Sequence, residues 1–231
     1  MDRISIVVPA LEEAAAIAGT LEALRPMRAR DVEVLVVDGG SRDATSAIAA
    51  PLADRVLEAP RGRASQMNAG ARAARGDILV FLHADTRLPP DAPEAIREAL
   101  ARSGRAWGRF DVQIEGAGAM LALVAAAMNA RSRLTGIATG DQAIFVRRAA
   151  FEAAGGFPPI PLMEDIALSK ALKRVSPPAR VAERATTSGR RWERRGTVAT
   201  IALMWRLRLA YALGADPHRL ARRYDVERTS S

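Results

Sequence analysis

The 231-residue chain has no cysteine. That excludes disulfide staples, zinc–thiolate and iron–sulfur centres, and cysteine nucleophiles together, and it agrees with a reducing compartment. Two histidines leave little material for an imidazole-built metal centre, and aromatic residues make up only 4%. Platforms for single-stranded nucleic acid interleave aromatics with basic side chains, so no nucleic-acid partner is expected. Long apolar runs are also missing. Gly118 to Met128 is well short of the about 20 residues that span a bilayer, and Val198 to Leu213 is interrupted by Arg206 and Arg208. Met1-Asp2-Arg3 leads straight into an apolar strand rather than a signal-peptide core. The expectation is a cytoplasmic protein with no transmembrane segment; peripheral membrane contact stays open.

Basic charge is what the chain has in excess: +8 at pH 7, with a pI near 11.1. From Arg184 to Arg223, ten arginines stand against two acids, Glu193 and Asp216. Such an excess suits an anionic partner, whether a phosphorylated small molecule or a membrane surface; a solvated, arginine-rich surface is the plain alternative. With 49% hydrophobic and 26% charged residues, the composition is that of a globular protein, and the length supports a core without staples.

Strand and helix signals alternate through the first half. Ile4–Val8, Glu33–Val37, Arg55–Leu57 and Asp77–Leu82 read as strands; Glu12–Leu24, Asp43–Ala50 and Arg63–Ala74 read as helices. Continuous apolar strands between helices predict a parallel sheet covered on both faces, which binds ligands beyond the carboxyl ends of its strands. Further on, Ala106–Ile114 and Gln142–Val146 read as strands. Gly118–Ala130 reads as a buried Ala-rich helix, with Arg148–Ala154, Glu164–Val175 and Gly196–Leu213 as further helices and a loose tail after Arg223. No linker divides the chain, so one domain over 1–231 is expected.

Small polar residues gather where strands end: Pro9-Ala10-Leu11-Glu12-Glu13, Asp38-Gly39-Gly40-Ser41 and His83-Ala84-Asp85-Thr86. Taken singly, each is an ordinary turn or helix cap, and Glu164-Asp165 at a helix start simply suits the macrodipole. Their order says more. Together with Arg63-Ala-Ser-Gln-Met-Asn68 and Glu164-Asp165, they resemble the family 2 glycosyltransferases of the GT-A fold over residues 4 to 170. Glu12 stands where that family has Asn, Gly39 where it has a second Asp, and His83 at the first position of its Asp-x-Asp metal motif.

The resemblance implies a GT-A, Rossmann-like α/β fold with a mostly parallel sheet, flanking helices and a helical C-terminal extension. It implies a nucleotide-sugar half (1–105) holding a UDP-sugar through Pro9, Ala10, Glu13, Asp38, Gly39, Arg63, Asn68, His83, Ala84 and Asp85. Asp85, with His83, is the expected site for Mg²⁺ or Mn²⁺; a buried hydrogen-bonding role is the alternative for His83. Asp165, with Glu164 beside it, is the expected inverting base. Asp38-Gly39-Gly40-Ser41, His83-Ala84-Asp85, Gly140-Asp141-Gln142 and Arg190-Arg191-Trp192 are further similar to a selenium-associated bacterial subgroup that includes the selenosugar synthase of selenoneine biosynthesis. That likeness implies transfer of N-acetylglucosamine or glucose to selenophosphate, or another small anionic acceptor, with formation of a C–Se bond. The acceptor half (106–231) would hold it through Gly140, Asp141, Gln142, Lys170, Arg190, Arg191 and Trp192. A hydroxyl or lipid-phosphate acceptor at a membrane surface is the competing expectation. Either a monomer or a homodimer is compatible with the sequence.

Overall fold

The computed structural model describes residues 2–29, 31–116, 118–190, 192 and 196–229. In chain order, β1 (Ile4–Ala10), α1 (Ile17–Leu24), β2 (Val32–Asp38), α2 (Thr45–Ala49), β3 (Arg55–Glu58), α3 (Arg63–Ala73) and β4 (Ile78–Phe81) form the first half. They are followed by β5 (Thr86–Arg87), α4 (Ala92–Ser103), β6 (Trp107–Glu115), α5 (Ala119–Thr135), β7 (Ile144–Arg147), α6 (Arg148–Ala153), α7 (Glu164–Leu172), β8 (Ala179–Ser188), α8 (Thr197–Ala212) and α9 (Pro217–Thr229). One eight-stranded sheet has the order β3-β2-β1-β4-β7-β6-β8-β5. Only β7 and β5 run against the others, so the fold is the mostly parallel α/β sheet expected.

The reason lies in the strand residues. Every position of β1 and β2 is buried. Ile4, Ile6 and Val8 face one core with Val34, Val36, Ile78 and Val80, closed by Leu21 of α1 and Ile96 of α4. Val7 turns the other way, with Leu35, Val37, Leu79 and Phe81, beneath Met67 of α3, Phe151 of α6 and Leu168 of α7. A sheet with apolar residues on both faces needs helices on both. On one side the approach is close: a Cβ on Gly70 of α3 would stand 2.3 Å from Val7 Cγ1. A third, smaller core of Leu162, Met163, Ile166, Leu203, Leu207 and Leu220 fastens α8 and α9 to the segment that carries Glu164 and Asp165. Among the described residues, no helix is long and apolar enough to cross a membrane.

Three expectations need correction. The helix expected from Glu12 starts only at Ile17, because Glu12 has φ 55° and the backbone N–H groups of Glu12, Glu13 and Ala14 are bound by the loop after β2. The Ala-rich helix is longer than expected and is not fully buried: Met120, Leu123 and Leu134 are exposed. The stretch after Arg223 is helical, since α9 continues through Thr229.

Candidate active site

Parallel register sets Ala10, Asp38 and Glu58 side by side at the carboxyl ends of β1, β2 and β3. The loops that follow are sewn together. Gly39 N–H donates to the Ala10 carbonyl (2.9 Å), Glu12 N–H to Ser41 Oγ (2.9 Å), Glu13 N–H to Thr45 Oγ1 (2.8 Å) and Ala14 N–H to Asp43 (3.1 Å). Glu12 returns the tie, its carboxylate accepting Arg42 N–H at 2.7 Å. Its left-handed backbone is a conformation that Asn tolerates well, which accounts for the Asn usual at this place. Buried Gln66 donates from Nε2 to the carbonyls of both Ala10 (2.7 Å) and Val37 (2.8 Å). Its side chain lies 3.1 Å from where a Cβ on Gly39 would be, so the glycine makes room for this clamp.

Asp38 is buried, and its carboxylate accepts the backbone N–H (3.0 Å) and the hydroxyl of Ser41. Two oxygens with about four lone-pair sites still leave capacity for a ligand hydroxyl. Half-buried Glu13 faces the segment after β4. Burial pushes its carboxyl up from the ordinary Glu value and the charge of Asp85 adds to this; Arg190, His83 and Arg63 pull it back. Arg190 reaches Glu13 at 3.7 Å, so the C-terminal segment returns to the sheet's carboxyl edge. Asp85 is fixed through its backbone, whose carbonyl accepts Ser188 N–H of β8 at 3.1 Å.

The second wall comes from the turn at Gly140–Gln142 and the start of α7. His83 Nδ1 lies 3.3 Å from Asp141 Oδ1. Gly140 packs on the same ring so closely that a Cβ there would stand 2.1 Å from Nε2. Asp165 accepts Gly140 N–H at 2.9 Å and its own neighbour's, Ile166 N–H, at 2.7 Å. Glu164 is buried, and Arg63, exposed at the start of α3, comes within 3.9 Å of its Oε1. Burial first and Asp165 second push the Glu164 carboxyl up, against a smaller opposing pull from Arg63. These contacts bring Glu13, Asp38, Asp85, Asp141, Glu164 and Asp165 to the carboxyl edge of the sheet, with Arg190 beside Glu13 and Arg63 beside Glu164.

Residues 5–150, more than half of the chain, match the family described as Glycosyl transferase family 2. The chain belongs to this family. A "PGL/p-HBAD biosynthesis glycosyltransferase" of Mycobacterium bovis is 37% identical over 91 residues, 36% of each chain. The matches span only about a third of the length of such curated relatives, 33–36%. Among solved structures, mannosyltransferase PcManGT from Pyrobaculum calidifontis, in complex with GDP-Man and Mn²⁺, superposes with a TM-score of 0.66 at 23% identity, covering 90% of this chain and 61% of that one. S. aureus TarS 1-349 in complex with UDP-GlcNAc gives 0.65 at 16% identity, with coverages of 80% and 58%. These likenesses establish a GT-A-like fold.

Within this family 2 chain, the donor set bears on the metal expected at Asp85 and His83. Both ring nitrogens of His83 face neighbours, Asp141 on one side and Gly140 on the other. Among the described residues, the Asp85 carboxylate carries a single, long 3.5 Å contact, from Thr86 Oγ1. No group of three or more His, Cys, Asp or Glu is gathered for a metal among the described residues. Mg²⁺ and ions like it are commonly held by one or two carboxylates together with substrate phosphates. The residues fit that arrangement through Asp85, completed by a bound diphosphate, rather than a preformed cage.

Other expected site residues fall differently. Both polar atoms of the Asn68 amide are taken by the backbone of Phe157 (2.8 and 3.0 Å), which makes it a clamp between α3 and the segment before α7. Lys170 lies over the Tyr211 ring at 5.1 Å, joining α7 to α8. Trp192 N–H closes a turn on Gly189, and Arg191 lies outside the described residues. Gln66 was not among the expected site residues. Its signal was a polar side chain on the buried side of α3, one turn after Arg63.

Proposed function

We propose that the protein transfers a glycosyl group from a nucleotide sugar, with inversion, in this cleft. The observation that carries the reading is the convergence of Asp38, Glu13 and Asp85 at neighbouring strand ends with Glu164, Asp165 and Arg63 opposite. In this reading residues 1–105 hold the donor, a UDP-sugar carrying N-acetylglucosamine or glucose. Pro9, Ala10 and Gly39 form the floor for uridine, while Asp38 accepts from ribose hydroxyls, which are donors. Departure of UDP leaves a diphosphate, and Arg63 and Asp85 stand where it forms. A divalent ion at Asp85, when bound, supplies Lewis-acid stabilisation of that leaving group.

Residues 106–231 present the acceptor. For selenophosphate, selenium attacks C1 as the C1–O bond to UDP breaks, and UDP departs with the electron pair. The attacking anion has no proton to lose, so Asp165 positions the Gly140–Gln142 turn. With a hydroxyl acceptor, Asp165 instead takes the proton. The subgroup-like sequences at Asp38–Ser41, His83–Asp85 and Gly140–Gln142 favour selenophosphate. The test incubates the full chain with UDP-GlcNAc or UDP-glucose and Mg²⁺ or Mn²⁺, with and without selenophosphate. Acceptor-dependent UDP release is expected. Its absence overturns this acceptor, and failure of UDP to raise Tm overturns the donor assignment.

A second reading, a lipid-phosphate or hydroxyl acceptor at a membrane surface, draws on α8. Val198, Trp205, Leu209 and Leu213 are 70%, 67%, 61% and 80% exposed, and their spacing of seven, four and four residues puts them on one face. Flotation with phosphatidylglycerol vesicles is expected in this reading; a protein that stays at the bottom of the gradient counts against it.

A further inference from the structure

We infer that Gln66 is a positioning residue of the donor site: its side-chain amide, seated against Gly39, sets the separation between Asp38 on β2 and Arg63 on α3 at which a nucleoside diphosphate is held. The inference rests on the donor reading for what Asp38 and Arg63 hold; the clamp itself is a feature of the fold.

Gln66 lies one turn into α3, three residues after Arg63, and i, i+3 side chains are neighbours on a helix. Its own N–H donates to the Gly62 carbonyl at 3.0 Å, closing the turn that bears Arg63. Gly62, the residue before that turn, provides no side-chain cap. What ties this end of α3 to the sheet is the Gln66 amide. Nε2 donates to the Ala10 carbonyl at 2.7 Å and to the Val37 carbonyl at 2.8 Å. An amide NH₂ carries two donors, so both are spent. Turning the amide over would set Oε1 against two carbonyl oxygens, so its orientation is fixed. Ala10 and Val37 lie on neighbouring strands, and Ala10 is in register with Asp38. The Ala10 oxygen also accepts the Gly39 N–H at 2.9 Å. One buried side chain from the helix that carries Arg63 therefore grips the backbone on either side of the Asp38 position.

Gly39 belongs to the same device. A Cβ there would stand 3.1 Å from Gln66 Cδ and Nε2 and 3.2 Å from Oε1, closer than the about 3.5–4.0 Å of an ordinary contact. Near-equal distances to all three atoms place that Cβ over the face of the amide. Gly39 lacks the left-handed backbone of Gly40 (φ 87°), so space and not conformation is what calls for glycine at 39. The amide cannot retreat without loosening its two hydrogen bonds. A side chain at 39, such as the Asp usual in the family, would press on the clamp, so Gly39 and Gln66 go together. Asn68, two residues further on, binds Phe157 instead and leaves the strand ends alone.

The test measures UDP and uridine affinity of the full chain by calorimetry, with Tm alongside, for wild type, Gln66→Met, Gly39→Ala and Gly70→Ala. Methionine keeps the length of Gln66 and removes both donors. Gly70→Ala disturbs the packing of the same helix without touching the clamp. Gln66→Met is expected to weaken UDP at least about tenfold and uridine by no more than about threefold, because uridine does not span from Asp38 to Arg63. Gly70→Ala is expected to lower Tm and to leave the ratio of the two affinities at its wild-type value. Gly39→Ala is expected to weaken UDP in wild type but to add nothing in a Gln66→Ala background, where the amide is gone; additive effects of the two substitutions overturn the coupling. Should Gln66→Met fail to fold, Gly39→Ala, which crowds the amide and leaves its donors in place, carries the same comparison. With UDP-sugar as substrate, the Gln66→Met defect is expected in KM, with kcat within about threefold of wild type. UDP binding that is unchanged in Gln66→Met, or lost in step with uridine, overturns the positioning role and leaves the donor reading standing. Failure of wild type to bind UDP at all overturns the donor reading and, with it, the use assigned to the clamp.

Discussion

At the ends of β1 and β2 the polar groups answer one another: Gln66, Ser41, Asp43 and Thr45 tie the two loops before any ligand arrives. In the second half, Arg131 and Arg208 hold buried N–H groups without a hydrogen-bond partner among the described residues, and Glu164 sits buried next to Asp165. The first region is a finished surface, preorganised for one shape. The second holds charge that the fold leaves unbalanced. Preorganised groups act with little reorganisation, whereas buried polar groups left unpaired are rare in folded proteins and call for an explanation.

Several substitutions sharpen or break this contrast. Asp38→Ala removes the Ser41 turn and the acceptor proposed for ribose hydroxyls, and is expected to weaken UDP binding by about 1.5–3 kcal/mol, the size of a hydrogen bond to a charged group; unchanged affinity by calorimetry would end the assignment. Gly70→Ala forces a methyl against Val7 and is expected to cost about 1–3 kcal/mol of stability in denaturant unfolding. A neutral result there would mean that α3 is not seated as described. Asp165→Asn is expected to keep selenophosphate-dependent UDP release within about tenfold of wild type, since no proton leaves; a fall of about 10² or more is the mark of a lost general base and of a hydroxyl acceptor.

Glu164→Gln tests the unbalanced side through pH. Burial and Asp165 raise the Glu164 carboxyl in the folded protein, so the folded state holds that proton more tightly than the unfolded chain. Stability is therefore fully present below the ordinary Glu value and falls as pH rises through the raised one. The uncharged variant is expected to have a higher Tm than wild type at neutral pH, with the gain vanishing below about pH 4.3. A gap that widens in acid contradicts the sign. Smallest in stability, Trp205→Ser with Leu209→Ser is expected to change unfolding free energy by no more than about 0.5 kcal/mol while abolishing any flotation with anionic vesicles.

The sheet was legible because strands such as Ile4–Ala10 are apolar on both faces, a pattern that admits few architectures. The acidic strand ends were legible because binding groups on such a sheet follow the strands directly. The start of α1 was not. Its first residues satisfy helical spacing, but non-local bonds from Ser41, Asp43 and Thr45 take their N–H groups. Helix α4 and strand β8 went unread too: α4 begins in a proline-rich stretch, and β8 has small and charged residues, with Ala179, Val181, Ala185 and Thr187 the deeply buried ones among those described. The Arg131–Arg208 pair is hidden for a deeper reason. Spacing shows that Val198–Leu213 is a helix, but not that it brings Arg208 back to α5, some seventy residues away in sequence. Which arginines are solvated and which are enclosed is a property of the packing alone.

The central claim is that neighbouring strand ends and the α7 start enclose one nucleotide-sugar site, and a crystal structure of the full chain with UDP and Mn²⁺ tests it most directly. The account predicts ribose hydroxyls within hydrogen-bonding distance of Asp38 and the diphosphate between Asp85 and Arg63. UDP bound elsewhere, or with Asp38 and Asp85 both out of its reach, would contradict it.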